Sequence, residues 1–117
     1  MTDIRTLPVT AELIDYVVDH GTWPVDEVLA DLHAETAALG PVAGMQIGPD
    51  QGQLLTLLTR LVDARRAVEV GTFTGYSSLC IARGLPAAGH LLCCDVSEEW
   101  TSIARRYWKD AGVDDRI

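Results

Sequence analysis

Residues 67–77 read AVEVGTFTGYS, and this stretch decides the fold that we expect for the whole chain. Two valines precede Gly71, and a short run with β-branched residues that ends at a glycine is typical of a strand. Residues 72–75 predict a turn. Residues 76–83 predict a helix that packs through Leu79, Ile81 and Ala82. A strand that enters a helix through a glycine turn is the opening unit of an α/β fold.

A second unit of the same kind follows along the chain. Residues 90–94 read HLLCC, an almost continuous apolar run that ends at Asp95 and is expected in a parallel sheet covered on both faces. Ser97 is a suitable N-cap for the next helix, and Gly112 is a suitable stop. Strands that alternate with helices imply right-handed crossovers and parallel pairing. We therefore predict an α/β fold with a Rossmann-like, doubly wound parallel sheet.

Three helices are expected before the first strand. Thr10 caps the first helix, and Pro24 opens the second, which ends at Gly40. After a loop at 42–48, Pro49 opens the third helix. The apolar face of that helix consists of five leucines, namely Leu54, Leu55, Leu57, Leu58 and Leu61.

The chain divides near residue 65 in this interpretation. Residues 1–64 form a helical segment on the substrate or oligomer side, and residues 65–117 form the first part of a cofactor-binding domain. A two-stranded parallel sheet is a poor independent core, and residues 113–117 look like the lead into a third strand. We therefore expect the chain to be the front of a larger α/β domain.

Composition narrows the class of protein. The 117 residues are 48% apolar and 22% charged, which is typical of one globular domain. No apolar run is long enough to cross a membrane and no secretory signal is visible, so we expect a cytoplasmic protein without a membrane partner. The net charge of -8 disfavours nucleic acid as a partner. Residues 1–39 carry most of this charge, which predicts a solvated acidic face or, alternatively, a partner-binding site.

The three cysteines and three histidines indicate neither a disulfide nor a metal site. Cys93 and Cys94 are neighbours in a predicted strand and point to opposite faces, so they should not pair. Together with Cys80 they are expected to act as small buried hydrophobes. The histidines have no ligand-like spacing, so a zinc site has no support.

Two acidic residues mark the candidate site. Glu69 lies in the first strand and Asp95 follows the second, and ligands of open parallel sheets bind outside the carboxyl ends of the strands. Gly71 between them lets the backbone approach a ligand, and Gly75 lets the following helix pack close to its strand. The dinucleotide fingerprint fails at Phe73, where glycine is required, and no lysine completes a phosphate-binding loop.

A ligand with a ribose and a cationic amine fits these residues better than a phosphate does. Asp95 can accept both hydroxyls of a ribose, and Glu69 can attract an ammonium group. Amides at the N-terminus of the next helix and the Ser77 hydroxyl can donate to a carboxylate. An adenosine, a sulfonium, an ammonium and a carboxylate together describe S-adenosylmethionine. A nicotinamide-dependent oxidoreductase is disfavoured by the failed fingerprint.

Four motifs in order resemble the cation-dependent O-methyltransferases, the class I family of caffeoyl-coenzyme A and catechol O-methyltransferase-like enzymes. Residues 68–77 resemble the first cofactor motif of that family, and residues 45–53 (MQIGPDQGQ) resemble the loop before its third helix. Residues 95–97 resemble its ribose-binding acidic position, and residues 111–113 its turn into the third strand. The resemblance covers essentially the whole chain.

The resemblance implies a set of roles and partners. It implies that Met45 and Ile47 line the cofactor, that Glu69, Gly71 and Thr72 border its methionine end, that Ser77 binds its carboxylate, and that Asp95 holds its ribose. Gly75 completes the expected cofactor-binding set. It implies methyl transfer to a phenolic or catechol-like hydroxyl of a small molecule, helped by Mg²⁺ or another divalent cation, in a homodimer. The metal ligands and catalytic base of the family are expected beyond Ile117, so this chain supplies no named catalytic residue.

Several alternatives stay open at this point. The chain can instead be a non-catalytic cofactor-binding or association module, because an unpaired strand edge invites pairing with another chain. Ser77 can be a simple helix cap rather than a ligand. Trp100 and Trp108 are expected to pack in the protein, and an adenine platform is the alternative.

Overall fold

The computed structural model describes residues 7–21 and 23–117. In the described residues, two 3₁₀ helices, Gly40–Met45 and Asp114–Arg116, accompany five α-helices and two strands. In chain order these are helix α1 (Ala11–Gly21), helix α2 (Glu27–Ala37), helix α3 (Pro49–Leu61), strand β1 (Arg66–Val70), helix α4 (Tyr76–Gly84), strand β2 (His90–Cys94) and helix α5 (Glu98–Asp110). The predicted order of three helices followed by strand, helix, strand and helix is confirmed.

The two strands form a parallel sheet that is covered on one face. Arg66 pairs with His90 and Val70 with Cys94 at the two ends of the register. Helix α4 connects the two strands, and α4 and α5 contribute residues to the same buried cluster beside the sheet. Leu91 is fully buried, whereas Leu92 is 56% exposed. The expectation of a sheet covered on both faces is therefore wrong for the described chain.

The core lies between α2, α4 and α5. Each of the three helices contributes a completely buried residue, namely Leu32 from α2, Leu79 from α4 and Ala104 from α5. Trp108 lies in the same cluster, and its indole nitrogen donates to Ser78 Oγ at 3.0 Å. The helical N-terminal part and the sheet part of the chain thus share one continuous apolar core.

Helix α3 packs against the rest of the protein through its small residues and not through its leucines. Gly52, Thr56 and Thr59 are buried against α4, and Thr56 Oγ1 donates to the Cys80 carbonyl oxygen at 2.8 Å. A Cβ on Gly84 would lie 2.6 Å from the Thr59 Cβ, so the two helices approach closely. The predicted leucine face exists, but it points outward, and Leu61 is 71% exposed.

Some predicted boundaries are wrong for local reasons. Helix α2 begins at Glu27 rather than at Pro24, because the Asp26 carboxylate accepts from the Leu29 amide at 3.0 Å and caps the helix there. Helix α2 ends at Ala37, and the stretch predicted as a loop at 42–48 is partly the 3₁₀ helix Gly40–Met45. Residues 114–116 form a 3₁₀ turn, where the lead into a third strand was expected.

Charges and thiols depart in part from the sequence-based picture. Asp26 pairs with Arg83 on α4, and Glu35 pairs with Arg106 on α5, so the acidic face is not only solvated. The described cysteines are all free, and Cys94 is exposed rather than buried. No helix in residues 7–21 and 23–117 has both the length and the apolar character needed to cross a membrane.

Candidate functional site

The turn at residues 71–75 connects β1 to α4 and forms the floor of the candidate site. Gly71 and Gly75 have φ angles of 88° and 90°, in the left-handed region that favours glycine. A Cβ on Gly71 would meet no atom within 4 Å, so this glycine faces open space. A Cβ on Gly75 would lie 2.6 Å from the Ala104 Cβ, so Gly75 permits close packing against α5 rather than against its own strand.

Asp95 holds this turn against the end of β2. One carboxylate oxygen accepts hydrogen bonds from the amides of Thr72 and Phe73, each at 2.8 Å. The other oxygen accepts from the Ser97 amide at 2.8 Å. These bonds, with that from Ser97 foremost, hold the pKa of Asp95 below its usual range. Asp95 is therefore a fixed anion between the carboxyl ends of the two strands.

Glu69 lies on the other side of the turn. Ser77 Oγ donates to one of its carboxylate oxygens at 2.6 Å, and Cys93 Sγ lies 3.6 Å from the other oxygen. Burial raises the pKa of Glu69, because a partly desolvated carboxylate is less stable than the neutral acid. Asp95 thus contacts the glycine turn directly, whereas Glu69 contacts Ser77 in the first turn of α4, and the two acids have different electrostatic environments.

Two adjoining cavities lie over the turn. The larger has a volume of about 470 Å³, which falls within the range of small-molecule sites. Its wall is formed by Met45, Val70, Gly71, Phe73, Cys94, Asp95, Val96 and Trp100. The smaller, of about 90 Å³, is lined by residues 45–47 and 71–77. Met45, Gly71 and Phe73 line both, so the two cavities share a wall.

The structure brings most of the predicted site residues to these cavities. Met45, Ile47, Gly71, Thr72, Gly75 and Ser77 line the smaller cavity, and Asp95 lines the larger one. Glu69 lines neither and reaches them only through Ser77. Trp108 is buried in the core as expected, whereas Trp100 lines the larger cavity and meets the Phe73 ring edge-on with centroids 5.0 Å apart.

Two contacts that position the site have no counterpart in the sequence-based reasoning. Thr36 on α2 donates to the Thr74 hydroxyl at 2.8 Å and ties that helix to the turn. The Gln46 side-chain amide lies 2.7 Å from His33 Nδ1 and connects α2 to the loop that lines the smaller cavity. The residues of these two pairs are 38 and 13 positions apart in the chain, so no local sequence pattern predicts the contacts.

The smaller cavity also contains polar atoms without partners. Gln46 Oε1 and Thr72 Oγ1 are buried and make no hydrogen bond within the described chain. Gln46 Oε1 is an acceptor and the Thr72 hydroxyl can donate or accept, and buried groups of this kind are costly unless a ligand or water satisfies them. Together with the open position beside Gly71, they fit a polar ligand at this end.

A further cavity of about 380 Å³ lies between the end of α1 and α3. Its lining includes His20, Trp23, Gln53 and Leu57, and none of the predicted site residues. We therefore assign the candidate site to the cavities over the turn. Within the described ranges, no group of three histidine, cysteine or carboxylate side chains is close enough to hold a metal ion.

A parallel sheet with a glycine turn and a strand-end carboxylate beside a ligand-sized cavity is the arrangement at which open α/β folds bind their ligands. Residues 20–117 match the sequence profile of the O-methyltransferase family. The chain belongs to that family, and its fold is the Rossmann-like fold of S-adenosylmethionine-dependent methyltransferases.

Known O-methyltransferases are similar to this chain in sequence and in structure. The chain is 40% identical to a probable caffeoyl-CoA O-methyltransferase of Arabidopsis thaliana, over 91% of this chain and 46% of that protein. An O-methyltransferase of Bacillus cereus, solved in complex with SAH, superposes with a TM-score of 0.79 at 35% identity, over 88% of this chain and 46% of the other.

An O-methyltransferase of Streptomyces achromogenes, solved in complex with SAM, superposes with a TM-score of 0.82 at 32% identity. The match covers 91% of this chain and 47% of that one. The chain thus spans about half the length of the relatives that it matches.

Proposed function

We propose that this chain binds S-adenosylmethionine and forms the cofactor-binding part of an O-methyltransferase that acts on a phenolic or catechol-like hydroxyl. The observation that carries the proposal is the cavity of about 470 Å³ over the glycine turn, with Asp95 fixed at its wall. Family membership and the SAM- and SAH-bound relatives support the same ligand. The bound cofactor would supply an electrophilic methyl group on sulfur.

Each predicted residue has a role in this proposal that its position supports. Asp95 accepts the ribose hydroxyls with lone pairs that its three amide contacts leave free, and Trp100 with Phe73 provides an aromatic wall for adenine. Gly71 leaves room for the cofactor backbone. The methionine end lies in the smaller cavity, which is lined by Met45, Ile47, Thr72, Gly75 and Ser77, with Glu69 behind them.

The divalent cation implied by the resemblance stays a prediction. In that family a metal lowers the pKa of the acceptor hydroxyl so that an oxyanion attacks the methyl group. The described residues do not fit such a metal, because they contain no cluster of three ligands. The function proposed for this chain therefore includes no step at a metal ion. The cytoplasmic location, the absence of a nucleic-acid partner and the division at residue 65 likewise stay predictions.

Isothermal titration of the 117-residue chain with S-adenosylhomocysteine tests the cofactor assignment. We expect saturable binding, and we expect Asp95→Ala to weaken it at least tenfold because the ribose loses a charged acceptor. Asp110→Ala, which removes an exposed acid from the last turn of α5, is the matched control and should leave binding unchanged. Folded wild-type protein that gives no heat would contradict the proposal.

The alternative of an association module is distinguished by cofactor binding, and a turnover assay tests whether the 117 residues catalyse methyl transfer by themselves. Incubation with S-adenosylmethionine, Mg²⁺ and a catechol should give no methylated catechol with this chain, since the described residues hold neither a metal site nor a named base. Methylated product would show that the 117 residues are a complete catalyst. Binding without turnover supports a cofactor-binding part, and neither binding nor turnover supports an association module.

We further propose that the leucine face of α3 mediates a homodimer. Leu54, Leu58 and Leu61 form an outward stripe whose members are each about half exposed or more. Antiparallel pairing of α3 with α3 of a second copy would bury both stripes against each other. An apolar stripe that can pack on its own copy in a two-fold interface favours a second copy as the partner.

A further inference from the structure

We propose that Glu69 acts on the cofactor indirectly, as a positioning residue that controls the direction of the Ser77 hydroxyl. The inference rests on the proposed function, because it concerns the methionine end of the same ligand. It departs from a direct contact between Glu69 and the ligand ammonium. Three observations about contacts, cavity lining and neighbouring groups support it.

The first observation is a conflict over a single proton. A serine hydroxyl has one hydrogen to donate, and Ser77 donates it to Glu69 at 2.6 Å. Ser77 lines the smaller cavity and is the residue assigned to the ligand carboxylate. While the hydroxyl points at Glu69, it presents only lone pairs to the cavity. An incoming carboxylate would then meet an acceptor instead of a donor.

The second observation is that Glu69 has no direct access to the ligand. Its side chain lines neither cavity over the turn. One carboxylate oxygen is occupied by Ser77 and the other faces the Cys93 thiol. Glu69 keeps free lone pairs, but Ser77 lines the smaller cavity in its place, so the path from the cavity to Glu69 runs through Ser77. The hydroxyl of Ser77 is therefore the path by which Glu69 reaches the ligand.

The third observation concerns the groups that surround Glu69. In the described chain, the titratable groups that face it from neighbouring elements are the thiols of Cys93 on β2 and Cys80 on α4. Burial raises the pKa of these thiols to about 12 and about 11, so both are neutral near pH 7. Neutral thiols do not repel an ionised Glu69, and a cysteine has no cationic form that would stabilise it.

These observations lead to one exchange of hydrogen bonds. When Glu69 takes up a proton, its O–H donates to Ser77 Oγ, and Ser77 donates its own hydrogen to the ligand carboxylate. When Glu69 is ionised, Ser77 donates back to Glu69 and the ligand loses that donor. Binding of the amino-acid end is then linked to uptake of one proton, and no covalent bond to carbon, nitrogen or sulfur changes.

The expected result is cofactor affinity that falls as the pH rises. We expect the Kd of S-adenosylhomocysteine to increase about tenfold or more between pH 5.0 and 7.5, with proton uptake detected by titration in buffers of different ionisation enthalpy. 5′-Methylthioadenosine lacks the amino-acid end and should bind with little dependence on pH. It is the ligand control for changes elsewhere in the site.

Two variants distinguish the indirect role from a direct contact. Glu69→Gln keeps the shape, and its NH₂ group donates to Ser77 permanently, so its affinity should stay near the low-pH value of the wild type at every pH. Ser77→Ala should bind weakly at every pH. If Glu69 held the ammonium directly, wild-type affinity would rise with pH and Glu69→Gln would weaken binding, and that result would overturn the inference.

A measurement without ligand separates this inference from the proposed function. Carbon-detected NMR of the free protein should show the Glu69 carboxyl titrating above its ordinary pKa of 4.5. A Glu69 that titrates at or below that value overturns the exchange of hydrogen bonds even if the cofactor binds. A raised value together with a wild type that binds no S-adenosylhomocysteine at any pH overturns the proposed function instead.

Discussion

At the residue scale, the same side chains serve the fold and the candidate site. Asp95 accepts from three backbone amides, so it fastens the glycine turn to the end of β2 before it meets any ligand. The sequence indicates that Asp95 has a binding partner, because a charge at the end of an apolar strand is costly without one. That its partners are amides of the turn follows only from the way the two strands pair.

Gly75 supplies a prediction at this scale. Gly75→Ala should destabilise the protein by about 2–4 kcal/mol, because it adds left-handed backbone strain to a collision with Ala104 and Trp108. Urea unfolding at pH 7 measures the change. Gly112→Ala is the matched control: its φ is 64°, but a Cβ meets nothing within 4 Å, and it should cost only about 1 kcal/mol. Equal losses would show that packing at Gly75 is unimportant.

At the element scale, the N-terminal helices are attached to the sheet unit by specific polar contacts. Asp26 caps α2 and also pairs with Arg83 near the end of α4, at 2.6 Å. Thr36 reaches the turn itself. Helix α3 packs on α4 through small residues, which permits a close approach that leucines would prevent. The predicted helices are therefore confirmed, while their contact faces follow from partners distant in sequence.

The double role of Asp26 leads to a prediction about pH. Burial tends to raise its pKa, but hydrogen bonds from Arg83 and the Leu29 amide outweigh that effect and lower it. A lowered pKa means stability that is present above the ordinary carboxyl pKa and is lost as the pH falls through the folded value. We expect Asp26→Ala to cost about 1 kcal/mol at pH 7 and progressively less towards pH 3.

Urea unfolding at pH 7, 5 and 3 measures this difference between Asp26→Ala and the wild type. The control is Asp31→Ala, since Asp31 is an exposed acid within the same helix that neither caps it nor forms an ion pair among the described contacts. Its substitution should change stability by less than about 0.5 kcal/mol. A loss for Asp26→Ala that is the same at all three pH values would exclude the charge of Asp26 as its cause.

At the scale of the whole molecule, two of the apolar surfaces exposed in the described chain lie on the sheet and on α3. One is the open face of the sheet, where Val68 and Val70 are 67% and 84% exposed. The other is the leucine stripe of α3. Monomeric proteins seldom leave contiguous apolar surface of this kind without a partner. We assign the stripe to a second copy of the chain, because one helix can present the same leucine stripe to its own copy across a two-fold axis.

The homodimer leads to the prediction at this scale. Sedimentation velocity should show the wild type as a dimer at micromolar concentration and Leu58→Glu as a monomer, because an unpaired carboxylate would be buried between two helices. Circular dichroism should remain unchanged, since Leu58 is 46% exposed in the single chain. Val68→Glu on the open sheet face is the control and should stay dimeric. A monomer from Val68→Glu with a dimer from Leu58→Glu would place the interface on the sheet.

The sequence by itself determined the order of elements, the parallel α/β class and the identity of the turn, because periodicity, caps and glycines are local signals. It also brought Asp95 and the glycine turn together, since both lie at carboxyl ends of parallel strands. Tertiary structure decided the rest. It alone determined which face of α3 is buried and that Thr36 and Gln46 form hydrogen bonds with residues distant in sequence. It also determined that Glu69 contacts Ser77 and does not line the cavity. Such contacts depend on distances between residues far apart in the chain, which no local pattern encodes.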